Sequence, residues 1–397
     1  MRPTVVVVET LDRPRPISVR IAQALAHAGS ARVLLCHWHG LHFSADSLLL
    51  RGPVHHLTDQ REITADVIES ALQVDALYFH GPHSGTLSAK DAAALDALTT
   101  VGIDVRKVPM YIVVDRILLE ASRRGIVTNA LGRARSWGPK HQQEIKLRRY
   151  EMATQNLVAR PQTYVAGPSE VSAALSFFAH RGETCVVKPA FGEGGKGFRL
   201  VTPGDSSHSP DSNIVVIQHL IPDPLLVAGC KADIRCYILI DLADHKASRL
   251  LGPVFVRRSA VPYIPGHLPA EITNTSYWSH HGYPSNIYPI QTTPGISKDL
   301  RTQILAQLHR LSRTLIDAYF WDAYSWPADS QIGVTSNSVI IFGVDVLVAN
   351  PSRKPRLYFL EMNPFPALFR GSPPCDQAVD QMLSQEYLPA LLRARAR

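Results

Sequence analysis

Cysteine is scarce in this chain, at five in 397 residues. Cys36, Cys185, Cys230, Cys236 and Cys375 are odd in number, scattered and without metal-ligand spacing. That pattern excludes a disulfide scaffold and a zinc site, and it predicts a reducing, cytoplasmic setting. Long apolar runs are also missing. Nothing approaches the roughly 20 residues of a membrane span, so no membrane partner is expected. Val5-Val6-Val7-Val8 is too short for a signal-peptide core and reads as a first strand. Two phosphate fingerprints are absent as well: no Gly-x-Gly-x-x-Gly turn follows the early strands, and no Gly-x-x-x-x-Gly-Lys-Ser/Thr loop occurs. No Ser/His/Asp or Cys/His arrangement announces a covalent nucleophile. Charged residues make up 19% of the chain with a net charge of +7. No basic stripe with interleaved aromatics accompanies that charge, which argues against nucleic acid. The surplus fits anionic partners such as nucleotides or acidic protein tails.

What is present centres on two apolar runs that each carry a carboxylate. Val339 to Val348 has Asp345 in its middle. Tyr358-Phe359-Leu360 leads into Glu361-Met362-Asn363, and Pro364 and Pro366 then end the strand. The polar stretch 349–356 between the runs reads as a hairpin turn. Strand alternation puts Glu361 and Asn363 on one face, and the hairpin brings Asp345 beside them. Three oxygen ligands on adjacent strands suit Mg²⁺, which takes its remaining ligands from water and nucleotide phosphates.

A second informative stretch is Thr184 to Val201. An apolar strand ends in Lys188, a loop with Gly192, Gly194, Gly195, Lys196 and Gly197 follows, and a strand returns. Glycines let backbone amides turn toward a ligand, and such amides form anion-binding concavities. Further on, Ile214-Val215-Val216-Ile217 runs into Gln218-His219-Leu220-Ile221, a strand suited to the edge of an adenine ring. Lys231, Asp233 and Arg235 alternate on one face of an apolar strand. Three such charges need either ion-pair partners within the sheet or a ligand.

The rest of the chain frames these stretches. Strands at 4–8, 32–36 and 74–79 alternate with helices at 17–28 and 88–100, which predicts a small α/β domain with a parallel sheet. His37, His39 and His42 read as a polar loop rather than a metal site. A charged helix is expected from Lys140 to Ala159, bounded by Arg160-Pro161. Ser169 is the expected N-cap of a helix over 172–181. Residues 259–297 are irregular, 298–320 have helical spacing, and 377–393 close the chain as a helix.

Taken in order, Val186-Val187-Lys188-Pro189, Val216 to Ile221, Asp233-Ile234-Arg235, Thr273-Asn274, Phe342-Gly343-Val344-Asp345 and Leu360-Glu361-Met362-Asn363 resemble the ATP-grasp superfamily. Within it they are most similar to the tubulin–tyrosine ligase-like family. The resemblance covers roughly residues 140–370 and implies an α/β and α+β fold: an N-terminal Rossmann-like pre-ATP-grasp domain (1–125), a central ATP-grasp lobe (126–213) and a C-terminal lobe with the Mg²⁺ site (214–397).

The same resemblance implies roles. Lys188, Gly194, Gly195 and Lys196 would hold phosphates, with Lys140 or Lys146 adding a contact. Gln218, His219, Leu220 and Ile221 would line the adenine, and Lys231 and Asp233 would reach ribose and phosphates. Arg235 and Arg257 would bind the incoming carboxylate or the reactive phosphate. Thr273 and Asn274 would sit near the γ-phosphate, while Asp345, Glu361 and Asn363 would hold Mg²⁺. Two positions depart from the family pattern: Glu193 stands where a basic residue is usual, and Glu271 where His is usual, near the substrate. The implied activity is ATP-dependent carboxylate–amine ligation through an acyl phosphate, adding an amino acid to an acidic protein or peptide. A small carboxylate acceptor with an amine, an inositol-phosphate-type kinase, or a non-catalytic nucleotide-binding module are the alternatives on the same fold.

Overall fold

Val5, Val6, Val7 and Val8 are fully buried because they form the middle strand of a sheet. The computed structural model describes residues 4–9, 16–27, 32–37, 41–43, 48–50, 54–58, 61–65, 71–72, 76–80, 121, 126–128, 136–191, 197–205, 213–274, 277–278, 281–283, 286–325, 338–364, 366, 368 and 372–396. β1 (Thr4–Glu9) lies parallel to β2 (Arg32–His37) and β8 (Ala76–His80), and β9 (Val127–Thr128) adds parallel to β8. β5 (Val54–Thr58) and β6 (Arg61–Ala65) extend the other edge antiparallel. A small antiparallel sheet joins β3 (Leu41–Phe43), β4 (Leu48–Leu50) and β7 (Ala71–Leu72). The region is therefore parallel at its centre and antiparallel at its margin. The expected helix over 88–100 lies outside the described residues, as does His39.

α1 (Pro16–His27) buries Ile21, Ala22 and Leu25 against this sheet and against the C-terminal helices. Arg20 Nη1 reaches Asp376 Oδ2 at 2.7 Å, so the two ends of the chain share one core.

α2 (Lys140–Thr154) ends where Gln155 turns left-handed at φ 61°, five residues short of Ala159. Next come β10 (Thr163–Ala166), α3 (Val171–His180), β11 (Cys185–Pro189), β12 (Arg199–Val201) and β13 (Val215–His219). The strands form an antiparallel sheet in the order β10-β13-β11-β12. One face packs Val187, Val215 and Ile217 against Leu175 and Phe178 of α3. The other face carries Lys188 and Gln218. Ser169 does not cap α3; its N-cap is Glu170, whose carboxylate accepts the Gly167 N–H at 2.8 Å.

The third sheet runs β17 (Ile287–Pro289), β16 (Arg249–Arg258), β15 (Cys230–Asp241), β18 (Val339–Ala349), β19 (Arg356–Asn363), with β14 (Leu226–Val227) paired to β15. All its pairings are antiparallel. The short helix α4 (Leu268–Glu271) and the long helix α5 (Lys298–Ser325) interrupt the strands. Ser297 caps α5, its hydroxyl accepting the Leu300 N–H at 3.1 Å. The helical spacing read from Leu300 to Ile316 is the buried stripe: Ile304, Leu308 and Leu315 pack on Ile234, Cys236, Val344 and Val346. On the opposite face, Tyr237, Leu239 and Ile341 pack against α6 (Pro373–Met382) and α7 (Leu388–Ala396), which are joined by a π-helical turn at Leu383–Tyr387. Beyond that apolar half, the same face carries the charges.

β19 contains one irregularity that matters for everything below. Val346 pairs with Phe359, but Asp345 pairs with Glu361, so Leu360 is an extra residue in the ladder, a β-bulge. Leu357 and Phe359 face the α5 core, and so does Met362, fully buried. Tyr358 and Leu360 face the other way, onto Ile221 and Leu347. The bulge thus reverses the alternation: Met362 enters the core and Glu361 does not. Burying a Met side chain stabilises by about 1.5–3 kcal/mol, whereas an unpaired carboxylate in its place is heavily penalised. That difference selects the bulged register.

Candidate functional site

The bulge sets Asp345 opposite Glu361, and Gly343 opposite Asn363. On the neighbouring strands Arg235 lies opposite Asp345 and Asp233 opposite Arg257. All of these residues share the sheet face that β11 and β13 oppose. Strand geometry therefore assembles charges drawn from positions 231 to 363 on one surface.

The charges are paired across strands. Arg235 grips Asp345 with both Nε on Oδ1 and Nη2 on Oδ2, the latter at 2.9 Å. Arg257 grips Asp233 at 2.8 and 2.6 Å and reaches on to Asp345 Oδ2 at 3.0 Å. Thr273 Oγ1 donates to Asp233 Oδ2 at 2.6 Å. Burial alone would raise the Asp345 carboxyl, but Arg235 and Arg257 outweigh it and hold it well below the usual carboxylate range. Burial likewise works to lower Arg257, and Asp233 and Asp345 override it upward. Gly343 is needed for this packing. A Cβ there would meet Pro366 Cβ at 2.8 Å and Arg235 Nη1 at 3.1 Å, so the guanidinium lies across bare backbone.

Lys231 pairs with Glu271, whose side chain is wholly buried. Ser259 N–H donates to Lys231 O at 2.8 Å and Tyr263 N–H to Gly229 O at 2.8 Å. Burial, with Glu271 beside it, pushes the Tyr263 hydroxyl up to about 12. The segment 259–274 is thereby fastened to β15 as a wall of the site. Asn274 Oδ1 accepts the Tyr277 N–H at 3.2 Å and so caps the turn that follows.

Across the cleft, Lys188 Nζ donates to Gln218 Oε1 at 2.6 Å, and Gln218 Nε2 donates to Thr163 Oγ1 at 3.1 Å. Gln218 therefore holds Lys188 in place. Burial pushes the Lys188 ammonium down to about 8, with Glu361 and Asp345 opposing and Lys140 and Lys231 reinforcing the fall. Lys140 Nζ stands 3.4 Å from Glu361 Oε2. The two candidate lysines on α2 separate cleanly. Lys140 faces the cleft, while Lys146 bonds Asp322 at 2.8 Å and lies over the Trp137 ring, away from it. The cleft is lined by Lys140, Gln143, Arg160, Thr163, Lys188 and Gln218, among others.

Of the adenine candidates, the Leu220 N–H donates to Thr184 O at 2.9 Å, so backbone contact with a base there falls to another atom. His219 stacks on Phe178, and Ile221 packs on Leu347 and Ala349. Gly194, Gly195 and Lys196 lie outside the described residues. Gly197, at the loop's exit, has φ +73° and sits against Pro189, where a Cβ would come within 2.6 Å of Cγ. Sequence reasoning missed Gln143, the Lys231–Glu271 pair and the bulge. Only the polar face of Lys231, Asp233 and Arg235 signalled that partners were required.

The donor set fits a hard cation. A carboxylate has about four acceptor sites. The two arginines occupy one on Asp345 Oδ1 and two on Oδ2, which leaves one on Oδ1, on the strand opposite Glu361. Among the described residues no group of three or more His, Cys, Asp or Glu forms a metal cluster. Were a cation held here, Asp345 and Glu361 would supply two carboxylates and the Asn363 amide a third donor, and phosphates and water would complete the shell. Lys140, Lys188, Lys231, Arg235 and Arg257 outnumber Asp233, Glu271, Asp345 and Glu361 by one positive charge. The cleft therefore attracts anions.

Comparison with known proteins agrees with this geometry. The C-terminal domain of K. lactis Pby1, an ATP-grasp enzyme that interacts with the mRNA decapping enzyme Dcp2, superposes with a TM-score of 0.57 at 13% identity, covering 97% of this chain and 94% of that one. At that identity the likeness shows the fold, an ATP-grasp arrangement of mixed helices and antiparallel sheets. The tubulin polyglutamylases TTLL7 of Homo sapiens and Mus musculus are each 36% identical over 98 residues, 25% of this chain and 10% of each relative. The chain thus matches about a tenth of the length of these relatives. The model of the tubulin-tyrosine ligase family matches residues 138–392, which span α2, both facing sheets and the C-terminal helices. On that match, over more than half its length, the chain belongs to the tubulin-tyrosine ligase family.

Proposed function

We propose that the protein is an ATP-dependent carboxylate–amine ligase that adds an amino acid to a carboxylate of a protein or peptide. The observation that carries the reading is the cleft itself: Lys188 and Lys140 stand over Asp345 and Glu361 in a family of ligases. Burying this many ions costs several kcal/mol per ion before pairing. Apolar residues of similar volume often fold as well, which supports a binding role for the network.

In this reading residues 1–125 form the Rossmann-like pre-ATP-grasp domain, and 126–213 and 214–397 are the two lobes that hold ATP. A carboxylate oxygen of the acceptor attacks the γ-phosphorus, the bond to the β-phosphate oxygen breaks, and ADP leaves with that electron pair. The amine of the incoming amino acid then attacks the acyl carbon. Phosphate departs and a proton is lost from nitrogen, leaving an amide. Lys188 and Lys140 offset charge on the phosphoryl oxygens. Arg235 and Arg257 orient the carboxylates of the site, and segment 259–274 walls the acyl phosphate from water. Mg²⁺, held by Asp345, Glu361 and Asn363, would screen the phosphates. An acidic acceptor matches the surplus positive charge, and buried free thiols at Cys185, Cys230, Cys236 and Cys375 suit a reducing cytoplasm.

The test is mass spectrometry of glutamate-rich peptides and tubulin after incubation with protein, Mg-ATP and mixed amino acids, with Glu361→Gln as control. A gain of one amino-acid residue, absent in the control, supports the reading. ADP release stimulated only by a small carboxylate or a polyol overturns the protein acceptor in favour of a small-molecule ligase or kinase.

A further inference from the structure

β19 is an edge strand, and its outer side has to be satisfied by something other than a strand. Phe359 N–H donates to Ala159 O at 2.8 Å. Past the bulge, one side chain takes over. Gln143 Oε1 accepts the Met362 N–H at 2.8 Å, and Gln143 Nε2 donates to Met362 O at 2.9 Å. Its second amide hydrogen goes to Gly138 O at 3.1 Å. The side-chain amide thus replaces a whole residue of a neighbouring strand, at the position between Glu361 and Asn363. Gln143 is buried, so these bonds are sheltered from competing water. The same helical turn is tied to the phosphate side: Lys140 N–H donates to Ala190 O at 3.2 Å, one residue past β11, and Lys140 Nζ faces Glu361.

We propose that Gln143 is a positioning residue that fixes the backbone between Glu361 and Asn363, and so sets the geometry of the cation site relative to the phosphate-binding side. The inference rests on the nucleotide and metal reading given above. A bulged edge strand has more freedom than a paired one, because its ladder is interrupted. Two good bonds to a single peptide remove that freedom at the residue whose neighbours supply the oxygen donors. Groups that orient metal ligands are worth about 10–100-fold in metal affinity when removed.

The experiment uses the full chain with the non-hydrolysable nucleotide AMP-PNP and Mn²⁺ as probe. Free Mn²⁺ is counted by electron paramagnetic resonance in the presence of saturating nucleotide. Nucleotide affinity without metal is measured separately by calorimetry. Gln143→Ala is expected to weaken Mn²⁺ about 10–100-fold, a larger fall than that of metal-free nucleotide affinity. Gln143→Glu keeps size and the acceptor but sets oxygen against the Met362 and Gly138 carbonyls; it is expected to do the same, and it covers the case in which the alanine variant fails to fold. Unchanged Mn²⁺ affinity in Gln143→Glu, or an equal fall of metal and nucleotide affinity, overturns the assignment and leaves Gln143 as an edge cap. Wild-type protein that binds AMP-PNP without retaining Mn²⁺ overturns this inference together with the metal reading, whereas intact wild-type binding with unaffected variants overturns this inference alone.

Discussion

Raising the pH should strip ATP from this protein well before an ordinary lysine would lose its proton. Burial brings Lys188 down from 10.5 to about 8. At pH 9 only about a tenth of it stays charged in the empty protein, while a solvated lysine is almost wholly protonated. The terminal phosphate's last ionisation, near pH 6, is complete by then. A polyphosphate binds the charged form and raises its pKa, so binding takes up about half a proton at pH 8 and nearly a whole one at pH 9. Affinity should fall by up to about tenfold per unit above pH 8. Calorimetry in two buffers of different ionisation enthalpy reads the proton uptake directly. Lys188→Met should bind weakly with no uptake. Lys188→Arg, charged at every accessible pH, should flatten the profile and overtake wild type in alkali. Stability moves the other way: between pH 8 and 10.5 the unfolded chain holds more protons at this residue, so folding gains as pH rises through that window. A wild-type affinity constant from pH 7 to 9.5, or the same slope in Lys188→Met, refutes the argument.

Other outcomes follow from the same contacts. Gly343→Ala places a Cβ 2.8 Å from Pro366 and 3.1 Å from Arg235 Nη1; it should cost about 1–3 kcal/mol in denaturant melts and lower ATP turnover by displacing the guanidinium. Lys231→Met and Glu271→Leu should each destabilise by about 3–5 kcal/mol, because each leaves a buried charge unpaired. The double variant should recover most of that loss, and additivity of the two singles would show that the pair is not coupled. Glu361→Gln should leave the melting temperature near wild type and reduce metal-dependent ATP turnover about 10²-fold; retained turnover removes Glu361 from the site.

Much of the site was legible because strand chemistry is periodic. A carboxylate in each of two apolar runs, joined by a short polar turn, places Asp345 near Glu361 without further information. Partner choice was less visible. Asp233 and Arg235 are separated by about 6.6 Å along one strand, whereas residues facing each other across a ladder are about 4.5–5.5 Å apart. Arg235 therefore pairs with Asp345, and Asp233 with Arg257. The alternation rule correctly placed Glu361 and Asn363 together but also aligned them with Phe359, a core residue. Nothing in Leu360 marks it as the extra residue. Gln143 was hidden for a different reason: α2 buries His141, Gln143, Glu144 and Lys146, so its inner face looks like an outer one, and hydrophobic periodicity does not find it.

The bulge at Leu360 also means that part of the site is written in chain length rather than in side chains. Removing that single leucine would delete no charged, polar or metal-ligating group. Regular alternation would return with Asp345 still opposite Glu361, so Glu361 would keep the cleft face and Met362 the core. The same donors would remain, in the same order and on the same side of the sheet, on a strand one residue shorter. Deleting Met362 instead would set Asn363 opposite Val344 and turn it into the core, and a comparison that scores residue identity alone would count every ligand as preserved.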